Sequence, residues 1–444
     1  MAHDALDQWI DNLAPLFEQE KPPTLMELSA HMTGTRGAFL GGCLEALTQE
    51  LYRHHRHQRH ADCPGCGKRL NAKRVDRKTA STLQGKISVE RPYFYCRDCH
   101  IGYHPLDEAL ALAQEVHQYD VQEKVLKLAT EMPYARAAEL VSELTGTPVS
   151  NRHNHDALNR VADVADLETV IPHRQEMSRR IEAVKSAPRD RPILVVAADG
   201  AHAPTRPKAG RKRKRGPGRW REVKGFRLYL VGEDERIVRL ASWHQIQDAE
   251  CFSEDLKQVA QRLPIEGVRI ALLGDGSSWL WNAMTACFPQ GRAVLDYYHC
   301  VEHLHTVAKA QYGETLEAQQ WVEATLARLS ADNTSQVIGG LRRMSPRSDV
   351  AGEEIGKLIT YLDNNRGYDE CKEQGLPIGS GGIESANKYI SHARLKRSGA
   401  WWVTENGNNM LRLRCAMYNQ TFDQVFRKYI LSKHQFSEKL ETNA

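Results

Sequence analysis

At 444 residues the chain is longer than one ordinary hydrophobic core, which predicts two to four packed units. A hydrophobic share of 41% excludes a disordered polymer, and no run of eighteen apolar residues or basic-then-apolar N-terminus occurs, so neither a membrane span nor a secretory leader is expected and the protein should be soluble and cytoplasmic. Net charge is only +4, yet Arg206 to Lys224 holds ten basic residues against one acid, Glu222, and such local density suits an anionic polymer.

The first sixty residues carry helical spacing, with Leu6, Ile10, Leu13 and Leu16 before Pro22-Pro23, and Phe39, Leu40, Leu44, Leu47 and Leu51 after. Residues 61–110 are built around Cys63-Pro-Gly-Cys66 and Cys96-Arg-Asp-Cys99. Two Cys-x-x-Cys pairs in a reducing compartment have metal-ligand spacing. With strand-like sequence between them, they predict a zinc ribbon in which Cys63, Cys66, Cys96 and Cys99 hold one structural Zn²⁺. The histidines nearby (His54, His55, His57, His60, His100 and His104) are read as surface residues or phosphate contacts, because four thiolates already fill a tetrahedron. Residues 115–170 return to helical spacing in three segments. A Thr-Gly-Thr-Pro turn precedes a third helix capped by Ser150, which outlines a helix-turn-helix-like unit.

A Pro-containing linker leads to residues 190–299. Ile193-Leu-Val-Val-Ala-Ala198 is apolar throughout and of strand length, so a strand covered on both faces is expected, ending at Asp199. Two more strands, at Phe226–Val231 and Ile237–Trp243, precede a helix over Ala249–Leu263. A second buried strand, Arg269–Leu273, ends in Gly274-Asp275-Gly276, and a short one, Ala293–Leu295, ends in Asp296. Residues 300–375 are helical in pattern. Residues 376–435 begin with a Gly-rich break at Gly379–Gly382 and resume as a helix carrying Glu384. The fold class is therefore α/β, with a helical insertion.

An acid at the carboxyl end of a buried strand sits where α/β sheets place their ligands. One Asp-Gly alone is most often a turn, but two of them at the ends of apolar strands, followed by an acid on a Gly-preceded helix, point to chemistry. Clustered carboxylates call for a hard cation, so Asp199, Asp275 and Glu384 are the candidate catalytic ligands for Mg²⁺ or Mn²⁺. Two such ions ~4 Å apart serve both sides of a phosphodiester displacement. Asp296 and His299 either orient this metal shell or cap the following helix.

At this point the segments Ala198-Asp-Gly-Ala201, Gly274-Asp-Gly-Ser-Ser-Trp-Leu-Trp-Asn282, Leu295-Asp-Tyr-Tyr-His-Cys-Val-Glu-His-Leu304 and Gly379-Ser-Gly-Gly-Ile-Glu-Ser-Ala-Asn-Lys388 together resemble the ISKra group of insertion-sequence transposases, over roughly the C-terminal half of the chain. The resemblance implies a ribonuclease-H-like catalytic domain of the DDE class, with Asp199, Asp275 and Glu384 as its three acids and Asp296 and His299 as an Asp-x-x-His motif ahead of the helical insertion. It further implies two magnesium ions, double-stranded DNA partners (transposon ends and target), a homo-oligomer, and a place on the bacterial nucleoid. The alternatives are a ribonuclease-H-like nuclease or junction resolvase, and a DNA-binding regulator with a dead core.

DNA contacts are expected from Lys208, Arg211, Lys212, Arg213, Lys214, Arg215 and Arg219 in the basic loop, from Lys396 and Arg397 after the glutamate, and from Arg152, with Asn151 and Asn154 beside it as base readers. Trp220, Trp401 and Trp402 are either core residues or stacking surfaces for unpaired bases.

Overall fold

The structure is a computed structural model describing residues 2–17, 21–185, 191–208, 217–331, 333–364, 376–377, 379 and 381–434. The basic-loop residues Arg211, Lys212, Arg213, Lys214 and Arg215 lie outside the described residues, as does Ser380. The chain divides into two compact units, Met1–Val164 with Asp423–Ala444, and Ala165–Phe422. No helix among the described residues is long and apolar enough to cross a membrane.

In the first unit α1 (Ala2–Phe17) and α2 (Leu25–Leu51) flank the double proline. Thr24 starts α2 with a capping box: its hydroxyl accepts from the Glu27 N–H at 3.3 Å, and the Glu27 carboxylate accepts from the Thr24 N–H at 2.7 Å. A single turn, α3 (Arg53–Arg56), leads to the hairpin β1 (His60–Asp62) and β2 (Arg69–Asn71). An antiparallel meander follows, β3 (Arg74–Thr82), β4 (Gly85–Cys96) and β5 (Ile101–Tyr103). Alternate side chains Ile87 and Val89 face a small core with Leu106, on α4 (Pro105–Ala109), and Leu112. Three helices close the segment, α5 (Tyr119–Glu131), α6 (Tyr134–Thr145) and α7 (Asn151–Ala162). Val121, Val125, Val141, Leu158 and Val161 are buried at helical spacing, Gly146 stops α6 in the left-handed conformation, and the Ser150 hydroxyl accepts from the His153 N–H to start α7.

The second unit opens with α8 (Leu167–Val170) and α9 (Arg174–Val184) and is built on a five-stranded sheet. Its strands are β6 (Ile193–Thr205), β7 (Arg219–Val231), β8 (Ile237–Ile246), β9 (Arg269–Gly274) and β10 (Arg292–Leu295), in spatial order β10-β9-β6-β7-β8. The first three are antiparallel neighbours, and β9 and β10 run parallel to β6. The connections from β8 to β9 and from β9 to β10 are α10 (Ala249–Arg262) and α11 (Ser278–Cys287), as parallel pairing requires a crossover. Phe226 meets Phe252 of α10, which meets Trp279 of α11, so both helices cover one face.

Four helices follow, α12 (Tyr297–Tyr312), α13 (Leu316–Ser330), α14 (Thr334–Arg343) and α15 (Asp349–Asn364), around their own core of Leu304, Val307, Val322, Ile338, Leu341 and Leu358. The chain then forms α16 (Gly381–Asn387), a π turn (Lys388–His392), α17 (Ala393–Leu395) and α18 (Thr404–Asn419). Two asparagines of α18 bond the backbone of edge strand β8 at two residues. Asn408 and Asn419 accept from the Ile246 and Ser242 N–H groups at 2.7 and 2.8 Å and donate back to the same residues' carbonyls. The last helix, α19 (Phe422–Lys433), gives the first unit Phe426 and Tyr429, which ring Tyr119.

One boundary differs from expectation. Strand β6 runs past Asp199 to Thr205, because β7 continues to pair with it as far as Thr205↔Arg219 while the parallel pairing with β9 stops at Ala197↔Leu273. Asp199 is thus within a strand, at the point where its parallel neighbour ends, and Gly200 is a strand residue and not a turn.

Candidate metal and catalytic sites

The two hairpins of the first unit carry one Cys-x-x-Cys knuckle each. The β1–β2 turn holds Cys63 and Cys66, and the β4–β5 turn holds Cys96 and Cys99. All four sulfurs lie within 4.8 Å of one another, and Cys66 and Cys96 are 3.8 Å apart. Zn–S bonds of ~2.3 Å arranged tetrahedrally put sulfurs about 3.8 Å apart, so the donor set fits a metal such as zinc. Local backbone supports this, with the Gly65 N–H donating to the Cys63 sulfur at 3.4 Å. Burial works to raise the Cys63 thiol, but amide donation from Gly65 and Cys66 and sharing with Cys96 bring it down to about 7. Cys99 is pushed up to about 12, through hydrogen bonding to Cys66 and then burial. Without a cation the four thiols cannot all ionise; a divalent metal removes that conflict.

In the second unit the middle of β6 and the carboxyl ends of β9 and β10 bring three aspartates side by side. The register Ala197↔Leu273 places Asp199 level with Asp275 two residues on, and Leu295↔Gly274 places Asp296 next in line. Asp275 accepts from the Ser277 N–H at 2.9 Å across Gly276, whose φ of 99° suits a residue without a Cβ. Asp199 accepts from the Gly200 N–H at 2.7 Å. Burial pushes the Asp199 carboxyl up to about 6, the Gly200 N–H and His299 work against that, and the charges of Asp275 and Glu384 add to it. Glu384 is exposed on the first turn of α16, 3.9 Å from the Lys388 ammonium. Asp275 and Glu384 are both near enough for their charges to act on Asp199. Among the described residues, however, only the cysteines are drawn together at ligand-sharing distance.

Asp296 is buried and caps α12 by accepting from the Tyr298 N–H at 3.1 Å, so the capping role is the one the geometry displays. His299, one turn further on, lies 3.7 Å from Glu302 and is close enough to Asp199 to lower its pKa. Lys208 and Arg219 are exposed, the former 3.8 Å from Glu405. Lys396 and Arg397 are exposed as well; burial lowers the Lys396 ammonium while the Asp199 charge acts the other way. In the first unit Arg152 projects from α7 with 93% of its side chain exposed. Asn154 is a correction to the sequence reading: it is fully buried and its amide donates to the Tyr134 carbonyl at 3.0 Å, so it fastens α7 to α6 and is out of reach of a base edge.

Residues that the sequence reading passed over complete the acidic site. Asn387, one helical turn after Glu384 and 3% exposed, donates its amide to the second Asp199 oxygen at 2.6 Å. This bond carries the glutamate helix to the aspartate strand across 188 residues of sequence. Arg227 on β7 donates to the Gly382 carbonyl at the start of α16. Behind them His244 is fully buried, 2.9 Å from the Ser242 hydroxyl; burial and then the charge of His392 lower its pKa to about 3, with Asn387 acting in the opposite sense. The Gly-Gly-Ile-Glu-Ser-Ala-Asn motif put Asn387 on the same helix face as Glu384, but only the fold brings that face to Asp199.

The molecule these features define is a mixed α/β protein with a four-cysteine cluster suited to a metal such as zinc. The chain belongs to the uncharacterised protein family UPF0236, whose model matches residues 24–428. A UPF0236 protein of Caldanaerobacter subterraneus subsp. tengcongensis is 25% identical over 357 residues, covering 77% of this chain and 68% of that protein. A second from the same organism is 24% identical over 416 residues, covering 89% and 78%. The Drosophila P element transposase strand transfer complex aligns over 72% of this chain and 82% of that chain at 12% identity, with a TM-score of 0.27, too low to infer a common fold.

Proposed function

We propose that the chain is a DDE-class DNA transposase of the ISKra group of insertion sequences, with a ribonuclease-H-like core in its second unit. The observation that carries this reading is that Asp275 stands level with Asp199 in the parallel register and the charge of Glu384 reaches Asp199, which Asn387, from the helix of Glu384, holds by a hydrogen bond. The sheet supports it, having three antiparallel strands followed by two parallel ones, with four helices before the helix of the third acid. A further support comes from the relatives: the name of one carries eleven locus designations from a single genome, the pattern that a self-copying element leaves behind.

Asp199, Asp275 and Glu384 would hold two divalent ions, which when bound supply activation of the attacking oxygen and stabilisation of the leaving one. The other roles belong to the chain itself. Asn387 keeps the Asp199 carboxylate turned toward its neighbours. Lys396, Arg397, Lys208, Arg211, Lys212, Arg213, Lys214, Arg215, Arg219 and Arg152 neutralise phosphates of transposon ends and target DNA by releasing counterions. Cys63, Cys66, Cys96 and Cys99 hold one structural Zn²⁺. The protein acts as a homo-oligomer on paired ends at the nucleoid.

The test is incubation with Mg²⁺ and a duplex bearing the terminal repeats that flank the gene. Products joined to a second DNA molecule are expected, and cleavage alone would instead favour the nuclease reading. Asp199→Ala should abolish both and keep DNA binding; cleavage that persists in this variant overturns the assignment of the acids.

A further inference from the structure

We propose that Trp220 and Trp401 form a platform on which unpaired bases of a DNA strand stack, a proposal that rests on the DNA-processing reading above. Of eight tryptophans in the chain these two alone are exposed, at 57% and 41%, and they touch each other, with ring centroids 6.5 Å apart and planes inclined by 61°. An exposed pair of the largest apolar side chain is unusual unless something covers it.

The pair is built by backbone pairing and not by chance contact. Beyond the end of β9, the free edge of β6 takes up residue 402 instead: the Trp402 N–H donates to the Pro204 carbonyl at 3.0 Å, and the Arg206 N–H donates to the Trp402 carbonyl at 2.8 Å. Trp402 is buried and acts as the anchor, its indole N–H donating to the Leu395 carbonyl at 3.3 Å. Trp401 is thereby carried to the opposite side, over the backbone of Gly218, where any Cβ would come within 2.2 Å of its ring. Trp220 stands opposite Pro204 in the β6–β7 register. Two rings separated by 181 positions in sequence are thus held in fixed relation before any ligand arrives.

The surroundings identify the occupant. Arg219 and Arg221 stand on either side of Trp220 on β7, and Arg206 and Lys208 follow the end of β6. Positive charge beside exposed aromatic rings suits a polymer with phosphates and flat bases. A protein partner is the poorer fit, because two indoles are far short of the ~800 Å² per side that a stable interface buries. Pro204 lies five residues beyond Asp199 on β6, roughly 16 Å along the strand. A DNA strand leaving the acidic cluster would meet the rings within a few nucleotides, where the end of a duplex has to be opened.

The experiment compares the full chain with Trp220→Ala, Trp401→Ala, the double variant and Trp220→Phe, each checked for an unchanged melting temperature. Affinities for oligothymidylate and for a blunt duplex are read by anisotropy, and oligomeric state by light scattering. Each alanine should weaken oligothymidylate binding roughly 5- to 100-fold and spare the blunt duplex, while Trp220→Phe should retain most of it. Equal losses on both DNAs, or no loss on either, overturn the platform and leave the DNA reading intact. Wild-type protein that binds neither DNA overturns the DNA reading itself. A wild-type oligomer that the substitutions dissociate assigns the pair to self-association and overturns the platform.

Discussion

Replacing Asn387 by leucine removes one amide from a buried position with little change of volume. The bond it deletes, 2.6 Å from amide to the Asp199 carboxylate, is a hydrogen bond to a charged acceptor, a class worth about 1.5–3 kcal/mol. In the wild type this bond favours the ionised form of a carboxyl that burial already pushes up to about 6. Leucine at 387 therefore leaves Asp199 both less inclined to ionise and less well oriented, and it cuts the tie between α16 and β6. On the proposed two-metal reading of Asp199, at 1.4 kcal/mol per tenfold change divalent-ion affinity should fall about 10- to 100-fold, the range expected when an outer partner of a metal ligand is removed. The assay is a Mn²⁺ titration followed by electron paramagnetic resonance, with circular dichroism to confirm the fold and cleavage measured at saturating Mg²⁺. Asn387→Asp provides the second arm: it sets a carboxylate against Asp199, so its metal-free form should melt lower than wild type and gain more from added Mn²⁺. A well-folded Asn387→Leu protein that binds Mn²⁺ as tightly as wild type would refute the reasoning.

Cys96 is fully buried among the four thiols; Cys96→Ser should lower the bound zinc from one per chain toward none in a colorimetric release assay and unfold the small hairpins, as chelator treatment of the wild type should also do. Because His244 stays neutral in the fold down to about pH 3 and the unfolded chain protonates it near its ordinary value, its contribution is present above pH ~6.5 and is lost as pH falls. Denaturant titrations should show His244→Gln losing less stability than wild type between pH ~6 and ~4, by up to ~1.4 kcal/mol per unit; parallel curves would count against a buried neutral His244. Gly225→Ala would place a methyl group 2.1 Å from the His244 Nδ1 atom, in a strand with no room to move. A loss of about 1–3 kcal/mol is expected by thermal melting.

Much of the local structure could be read directly, because local rules govern it. Thr24 with Glu27, Ser150, and Gly146 mark helix ends by hydrogen bonds that close within a few residues. The run Ile193–Ala198 is apolar because both faces of the sheet cover it. Two Cys-x-x-Cys pairs point to a site suited to a metal because a tetrahedral ion calls for that spacing, and the four cysteines do cluster. Likewise Asp199 and Asp275 stand out because acidic residues at the end of an all-apolar run have few structural reasons to be there.

What the amino-acid order determined by itself was therefore many of the elements, the four cysteines that cluster and the identity of the acids worth considering. Tertiary structure alone decided that Asp199 lies within a strand, since that follows from where two different partners stop pairing with β6. It decided that Asn154 is a buried fastener, because burial depends on neighbours distant in sequence. And it brought Asn387 to Asp199 and Trp401 to Trp220, contacts closed by strand pairing and helix docking over more than 180 residues, a range at which periodicity and propensity carry no information.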